Sequence, residues 1–268
     1  MDPDRLVATL RTAGCVYAEE EAALLRSVAG SAGELGSLVA RRVAGEPLEQ
    51  VVGFAEVDGL RVAVAPGVFV PRLRSLALVR LAAGHVRPGD VVVDLCCGTG
   101  ALGALLLRDV PGADLWAADL DPAAVECARR NLPPDRVLEG DLFTALPAAL
   151  RGRVRVVVCN APYVPTAEIA AMPSEARDHE HRVALDGGSD GLDLHRRVLA
   201  DAPAWLAPGG RILVETSRRQ SPTTAALATA AGLLAEVVRD DDVDGTVVVA
   251  SRAGQDSVSR ASRELWSL

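Results

Sequence analysis

Up to about residue 45, apolar positions recur at helical spacing. Leu6, Val7 and Leu10 share one face, and Ala22 to Val28 and Leu35 to Val43 form two more, with Gly30 and Gly33 breaking the chain between them. The period then changes. Val51-Val52-Gly53-Phe54 and Leu60 to Val64 flank Asp58-Gly59, a pairing that predicts a β-hairpin. Pro66 and Pro71 follow, and a linking helix is expected over Ser75 to Ala83.

From Asp90 onward, strand-length apolar runs alternate with helical patterns. Strands are predicted at Val91–Leu95, Leu115–Ala118, Arg136–Leu138, Val154–Cys159 and Arg211–Glu215. Helices are predicted at Ala101–Leu107, Ala123–Asn131, Leu192–Trp205 and Thr223–Ala231. Such alternation builds a parallel sheet covered by helices on both faces, an α/β doubly wound architecture. The end departs from it: Leu233–Arg239 and Thr246–Ser251 read as two strands joined by the acidic turn Asp240 to Gly245, a C-terminal antiparallel hairpin that brings the strand count to seven. Beyond Gly254 the tail is polar, with Leu265 and Trp266 able to dock back.

The first strand runs into Asp94-Leu95-Cys96-Cys97-Gly98-Thr99-Gly100 and then a helix. Gly98-Thr-Gly100-Ala-Leu-Gly103 matches a dinucleotide fingerprint, and Asp119 lies 21 residues beyond Gly98, as that fingerprint expects. A diphosphate, however, needs the first glycine close behind the strand. Here Leu-Cys-Cys intervenes, and a carboxylate at position 94 would repel phosphate. The same carboxylate suits the ammonium of S-adenosylmethionine, whose sulfonium is also cationic. Asp119, at the tip of the second strand, would accept hydrogen bonds from the ribose hydroxyls, with Leu120 beside it at the cofactor, and Asp141-Leu142, after the third, would meet the adenine. Cys96 and Cys97 read as small wall residues rather than nucleophiles.

The fourth strand leads into Asn160-Ala161-Pro162-Tyr163. Ligands of open parallel sheets bind beyond the carboxyl ends of the strands, which puts this tetrapeptide beside the glycine loop. An amide nitrogen is a poor nucleophile because its lone pair is delocalised. Hydrogen bonds from its two N–H groups to the Asn160 side-chain oxygen and the Ala161 carbonyl would aim it and favour the positive charge that develops on it. Pro162 holds Ala161 extended, and Tyr163 can stack on a planar group.

Composition narrows the partners. The net charge is −8 and all 28 basic residues are arginine, so the basic face needed to displace phosphate counterions is not expected, nor is direct nucleic-acid binding. Cys15, Cys96, Cys97, Cys127 and Cys159 are an odd set without zinc-finger spacing, and the longest apolar runs are too short to span a bilayer. A soluble cytoplasmic chain without a membrane partner is expected, acting as a monomer. Asp178, His179, Glu180 and His181 read as a solvated charge cluster rather than a metal site, and the segment with Glu175 and Arg177 as a mobile cover over the acceptor pocket.

On these residues the chain resembles the release-factor glutamine N5-methyltransferases, the HemK-like family. The resemblance covers nearly the whole length: Glu46-Pro47-Leu48, Gly59-Leu60-Arg61-Val62, Val68 to Arg72, Ala184 to Leu192 and Pro208-Gly209-Gly210 all match, besides the two loops. It implies a Rossmann-like class I methyltransferase domain with S-adenosylmethionine as cofactor, and a peptide chain release factor, methylated on the glutamine of Gly-Gly-Gln, as partner. It also implies an organisation of helical substrate-recognition domain over 1–48, hairpin linker over 49–74, methyltransferase domain over 75–254 and tail over 255–268. Asn160 to Tyr163 would bind the glutamine, while Asp94, Cys96 to Gly100, Asp119, Leu120, Asp141, Leu142 and Asn160 would bind the cofactor. Three departures stand out. Ala161 replaces a proline, Cys96 replaces the first glycine of the loop, and Leu73-Arg74-Ser75 replaces the family's Pro-Glu-Thr. Adenine N6 or small-molecule amine methylation, an NAD-dependent oxidoreductase and a non-catalytic interaction module are the alternatives.

Overall fold

The structure is a computed structural model that describes residues 2–254; the expected docking of Leu265 and Trp266 lies outside the described residues. Three helices open the chain: α1 (Pro3–Thr12), α2 (Ala18–Val28) and α3 (Ala32–Val43). Asp2 caps α1 by accepting from Arg5 N–H, and Ser31 caps α3 by accepting from Glu34 N–H, each satisfying a donor that the first turn leaves free. Leu6, Leu10, Ala22, Leu25, Leu35 and Val39 form a separate apolar core, to which Val51 of the short α4 (Leu48–Val52) also belongs. Gly33, expected in the break, sits instead in the first turn of α3.

The hairpin consists of β1 (Phe54–Val57) and β2 (Leu60–Ala63), paired antiparallel. Its first arm therefore starts later than expected. Val51 and Val52 end α4, and Gly53, at φ 85°, takes the left-handed conformation that closes the helix. After α5 (Leu76–Ala83) come β3 (Val91–Leu95), α6 (Ala101–Asp109), β4 (Asp114–Asp119), α7 (Pro122–Ala128), β5 (Val137–Glu139) and β6 (Val154–Cys159). Then follow α8 (Ser174–His179), α9 (Asp193–Trp205), β7 (Leu206–Glu215), α10 (Ser221–Ala230), β8 (Leu234–Asp240) and β9 (Gly245–Ser251).

The seven-stranded sheet has the order β5-β4-β3-β6-β7-β9-β8, with β9 antiparallel to both of its neighbours. Strand side chains alternate between two cores: Val92, Val156 and Val158 pack on one face, Val91, Val93, Leu95, Val157 and Cys159 on the other. Each fully buried Val or Leu contributes roughly 1.5–3 kcal/mol, so the registry of the central strands is strongly specified. Winding reverses between β3 and β6, which are hydrogen-bonded neighbours, with Leu95 opposite Cys159. Beyond this pair lie the two loops singled out in the sequence.

Candidate active site

The loop after β3 is held mostly by its own surroundings. Cys97 N–H donates to the Ala118 carbonyl (3.1 Å), Gly98 N–H to Asp119 Oδ2 (2.8 Å) and Gly100 N–H to the Cys97 carbonyl (2.7 Å). The N–H groups of Gly98 and Gly100, the first two glycines of the dinucleotide reading, are thus already engaged within the protein, which argues against a dinucleotide. Gly100 (φ 75°) is required by packing, since a Cβ there would lie 2.8 Å from Leu132. Cys96 adopts φ 56°, a left-handed conformation that costs an L-residue roughly 1–2 kcal/mol. Leu142 does the same at φ 51°, so backbone strain gathers on both sides of this cleft.

The loops open into one cavity of about 690 Å³. Of the residues expected around the cofactor, Cys96, Cys97, Gly98, Thr99, Asp119, Leu120, Asp141, Leu142 and Asn160 line it; Asp94 and Gly100 do not. Asp94 is 0% exposed, and its Oδ2 accepts from Gly103 N–H at 2.9 Å, so it braces the first turn of α6 rather than facing the cavity. Burial pushes its carboxyl up to about 8, aided by the charge of Asp119 and opposed by the Gly103 hydrogen bond. Burial likewise raises Asp119, against the backbone hydrogen bonds it accepts from Asp121 and Gly98. Asp141 pairs with Arg197 at 2.5 Å.

On the acceptor side, Asn160, Ala161, Pro162 and Tyr163 all line the same cavity. Asn160 Nδ2 donates to Ser75 Oγ at 3.2 Å, which commits the amide's nitrogen and leaves its oxygen for a ligand. Among the described residues no donor bonds the Ala161 carbonyl. The Tyr163 hydroxyl donates to Glu215 Oε1 (3.2 Å), and its carbonyl accepts from Gln220 Nε2 (3.0 Å). Burial, then the adjacent Glu215 carboxylate, drive the phenol's pKa up. The loop is further zipped to the Ala184–Leu192 stretch: Val164 N–H donates to the Leu185 carbonyl, Gly187 N–H to the Val164 carbonyl and Thr166 Oγ1 to Asp186 Oδ1 (2.6 Å).

Sequence reasoning missed Ser75, Arg74, Glu215 and Gln220, whose partners are distant in the chain. Glu215 carried a usable signal, an acid ending an apolar strand at the ligand-binding edge. The reading of residues 175–181 needs two corrections. Glu180 is not solvated: its side chain is fully buried, accepting from Val70 N–H (3.1 Å) and Arg72 Nη2 (2.6 Å). Nor is the segment a loose cover. Glu175 accepts from Arg42 Nη1 (2.7 Å), the His179 carbonyl from Gln50 Nε2 (3.2 Å), and His181 Nδ1 lies 2.5 Å from Asp121 Oδ2.

The family model described as "Methyltransferase domain" matches residues 92–181. The release factor glutamine methyltransferase of Streptomyces coelicolor is 43% identical over 189 residues, covering 68% of this chain and 67% of the relative. The chain belongs to the release factor glutamine methyltransferase family. Within reach of the family stands a 4-amino-L-phenylalanine/4-methylamino-L-phenylalanine methyltransferase of Streptomyces pristinaespiralis, 38% identical, with 72% of this chain and 69% of the relative covered. A Pyrococcus furiosus methyltransferase structure superposes with a TM-score of 0.55 at 17% identity over 74% of this chain and 90% of that one, a likeness of fold.

The cofactor of such an enzyme is S-adenosylmethionine, and the residues present suit it. Asp119 keeps lone pairs free for ribose hydroxyls after accepting two backbone N–H bonds. Leu120 and Leu142 offer apolar surface for the adenine, and Cys96 and Cys97 are small walls whose thiols stay protonated, Cys96 through its hydrogen bond with Cys159 and then burial, Cys97 through burial.

Proposed function

We propose that the chain transfers the methyl group of S-adenosylmethionine to the side-chain amide nitrogen (N5) of a glutamine, in the Gly-Gly-Gln motif of a peptide chain release factor. The observation that carries this reading is the orientation of Asn160. With Nδ2 engaged by Ser75, its Oδ1 and the free Ala161 carbonyl are two acceptors on one loop, matching the two N–H groups of a primary amide. Bound S-adenosylmethionine supplies an electrophilic methyl carbon on a sulfonium. Asn160 and Ala161 hold the amide nitrogen toward it and favour the positive charge that nitrogen acquires. Tyr163, fixed at both ends by Glu215 and Gln220, covers the planar amide and excludes water. No side-chain base is required, because an N-protonated amide sheds its proton readily. Alignment of this kind supplies up to roughly 7–11 kcal/mol of the barrier.

The helices α1 to α3 form the surface that recognises the factor, and the chain works as a monomer in the cytoplasm. The test is mass spectrometry of a release factor incubated with enzyme and S-adenosylmethionine. A gain of one methyl on the Gly-Gly-Gln glutamine supports the reading; transfer to another residue, or none, refutes it.

A further inference from the structure

Arg74 stands at the acceptor end of the cavity, and the reaction as described leaves it without a task. Its Nε donates to Glu215 Oε1 at 3.1 Å, the oxygen that also accepts the Tyr163 hydroxyl at 3.2 Å. The guanidinium carbon lies 5.9 Å from the centre of the Tyr163 ring. Glu215 is 1% exposed, whereas the Arg74 side chain is 46% exposed and lines the cavity. The pair therefore consists of a buried anion and a cation whose outer edge reaches the space beside Asn160 to Tyr163.

A guanidinium carries five N–H donors. Glu215 takes the one on Nε. Apart from the neighbouring Tyr163 oxygen, no acceptor among the described residues reaches Nη1 or Nη2. Donors are thus left over for an oxygen of the acceptor molecule. Charge decides which oxygen. Glu215 already balances Arg74, so a carboxylate would place a second anion beside a buried one, while a neutral carbonyl would not. A glutamine within a polypeptide offers a backbone carbonyl; a free amino acid offers a carboxylate.

We propose that Arg74 is a specificity-determining residue that binds a backbone carbonyl next to the reactive glutamine, and that Glu215 makes this contact selective for peptide-bound over free amino acids. The inference rests on the functional reading above.

The test compares steady-state transfer to a release factor with titration calorimetry using S-adenosylhomocysteine. Arg74→Met strands the Glu215 charge, so the double variant Arg74→Met/Glu215→Gln, which removes both charges, is measured beside it with a melting curve for each. In both, the KM for the factor should rise about tenfold, the 1.4 kcal/mol of one decade. Affinity for S-adenosylhomocysteine should stay within about threefold in both, while kcat is free to change because Glu215 also anchors the Tyr163 hydroxyl. In Glu215→Gln alone, free glutamine should inhibit transfer at least about tenfold more strongly than in the unaltered chain. A factor KM within about twofold in the folded double variant overturns the role of Arg74, and equal inhibition by glutamine overturns the selection by Glu215. Failure of the unaltered chain to methylate the factor overturns the functional reading and this inference with it; unaffected variants of an active enzyme overturn this inference alone.

Discussion

Replacing Asn160 by alanine tests the chemistry most directly. The change removes one of the two oxygens offered to the amide while leaving β6 and the backbone of the loop in place. In the folded chain Asn160 makes one neutral side-chain hydrogen bond, at 3.2 Å to Ser75, worth about 0.5–1.5 kcal/mol, so the melting temperature should fall only slightly. In the transition state the lost partner faces a nitrogen that is acquiring charge. Removing one preorganised group from such a site typically costs about 2.7–4 kcal/mol, or roughly a hundred- to a thousandfold in kcat. Single-turnover transfer followed by mass spectrometry measures this, with S-adenosylhomocysteine affinity expected to stay within a few-fold. Asn160→Asp keeps an acceptor oxygen and should lose less. A fall of under tenfold in Asn160→Ala, or an equal loss of cofactor affinity, would refute the argument that this side chain polarises the acceptor.

Three further outcomes follow from the geometry. Burial raises the Asp94 carboxyl from its ordinary 3.8 to about 8, so the folded chain binds this proton more tightly. The stability gained is complete below about pH 4 and is lost as the pH rises through 8; Asp94→Asn should flatten that slope in denaturant titrations of the cofactor-free chain, leaving the variant the more stable at pH 8 and above. Arg42 is 8% exposed and bonds Glu21, Glu175 and the Glu46 carbonyl, so Arg42→Met should cost about 3 kcal/mol in urea unfolding, and Arg42→Met/Glu21→Gln less. Gly191 has φ 77°, and a Cβ there would fall 2.3 Å from the Tyr163 carbonyl oxygen, so Gly191→Ala should lower both the melting temperature and kcat, with a larger effect on transfer than on cofactor binding.

The sheet was legible because its signals are local. Unbroken valine runs such as Val91–Val93 mark strands buried on both faces, and the observed strands differ from expectation by a residue or two at most, except that β7 begins earlier, at Leu206. Val51-Val52 misled for the same reason: β-branched residues favour strands, yet Gly53 could end a helix there, and tertiary packing into the N-terminal core chose that solution. Both loops of the site were visible because strand ends fix where ligands bind. Their supports were not. Ser75 meets Asn160 across 85 residues, and Arg74 meets Glu215 across 141, separations at which no spacing rule operates. Glu180 looked solvated because loops lack periodicity, and its burial depends on Arg72, 108 residues earlier.

Arg42 has one further consequence. The same guanidinium joins α2, through Glu21, to the start of α8, through Glu175, and Gln50 adds a second tether to the end of that helix. From there the chain runs directly into Arg182 to Gly188, which wall the reaction chamber. A protein pressing on the amino-terminal helices would therefore be pushing, through two polar links and no intervening linker, on the doorway its own glutamine has to enter.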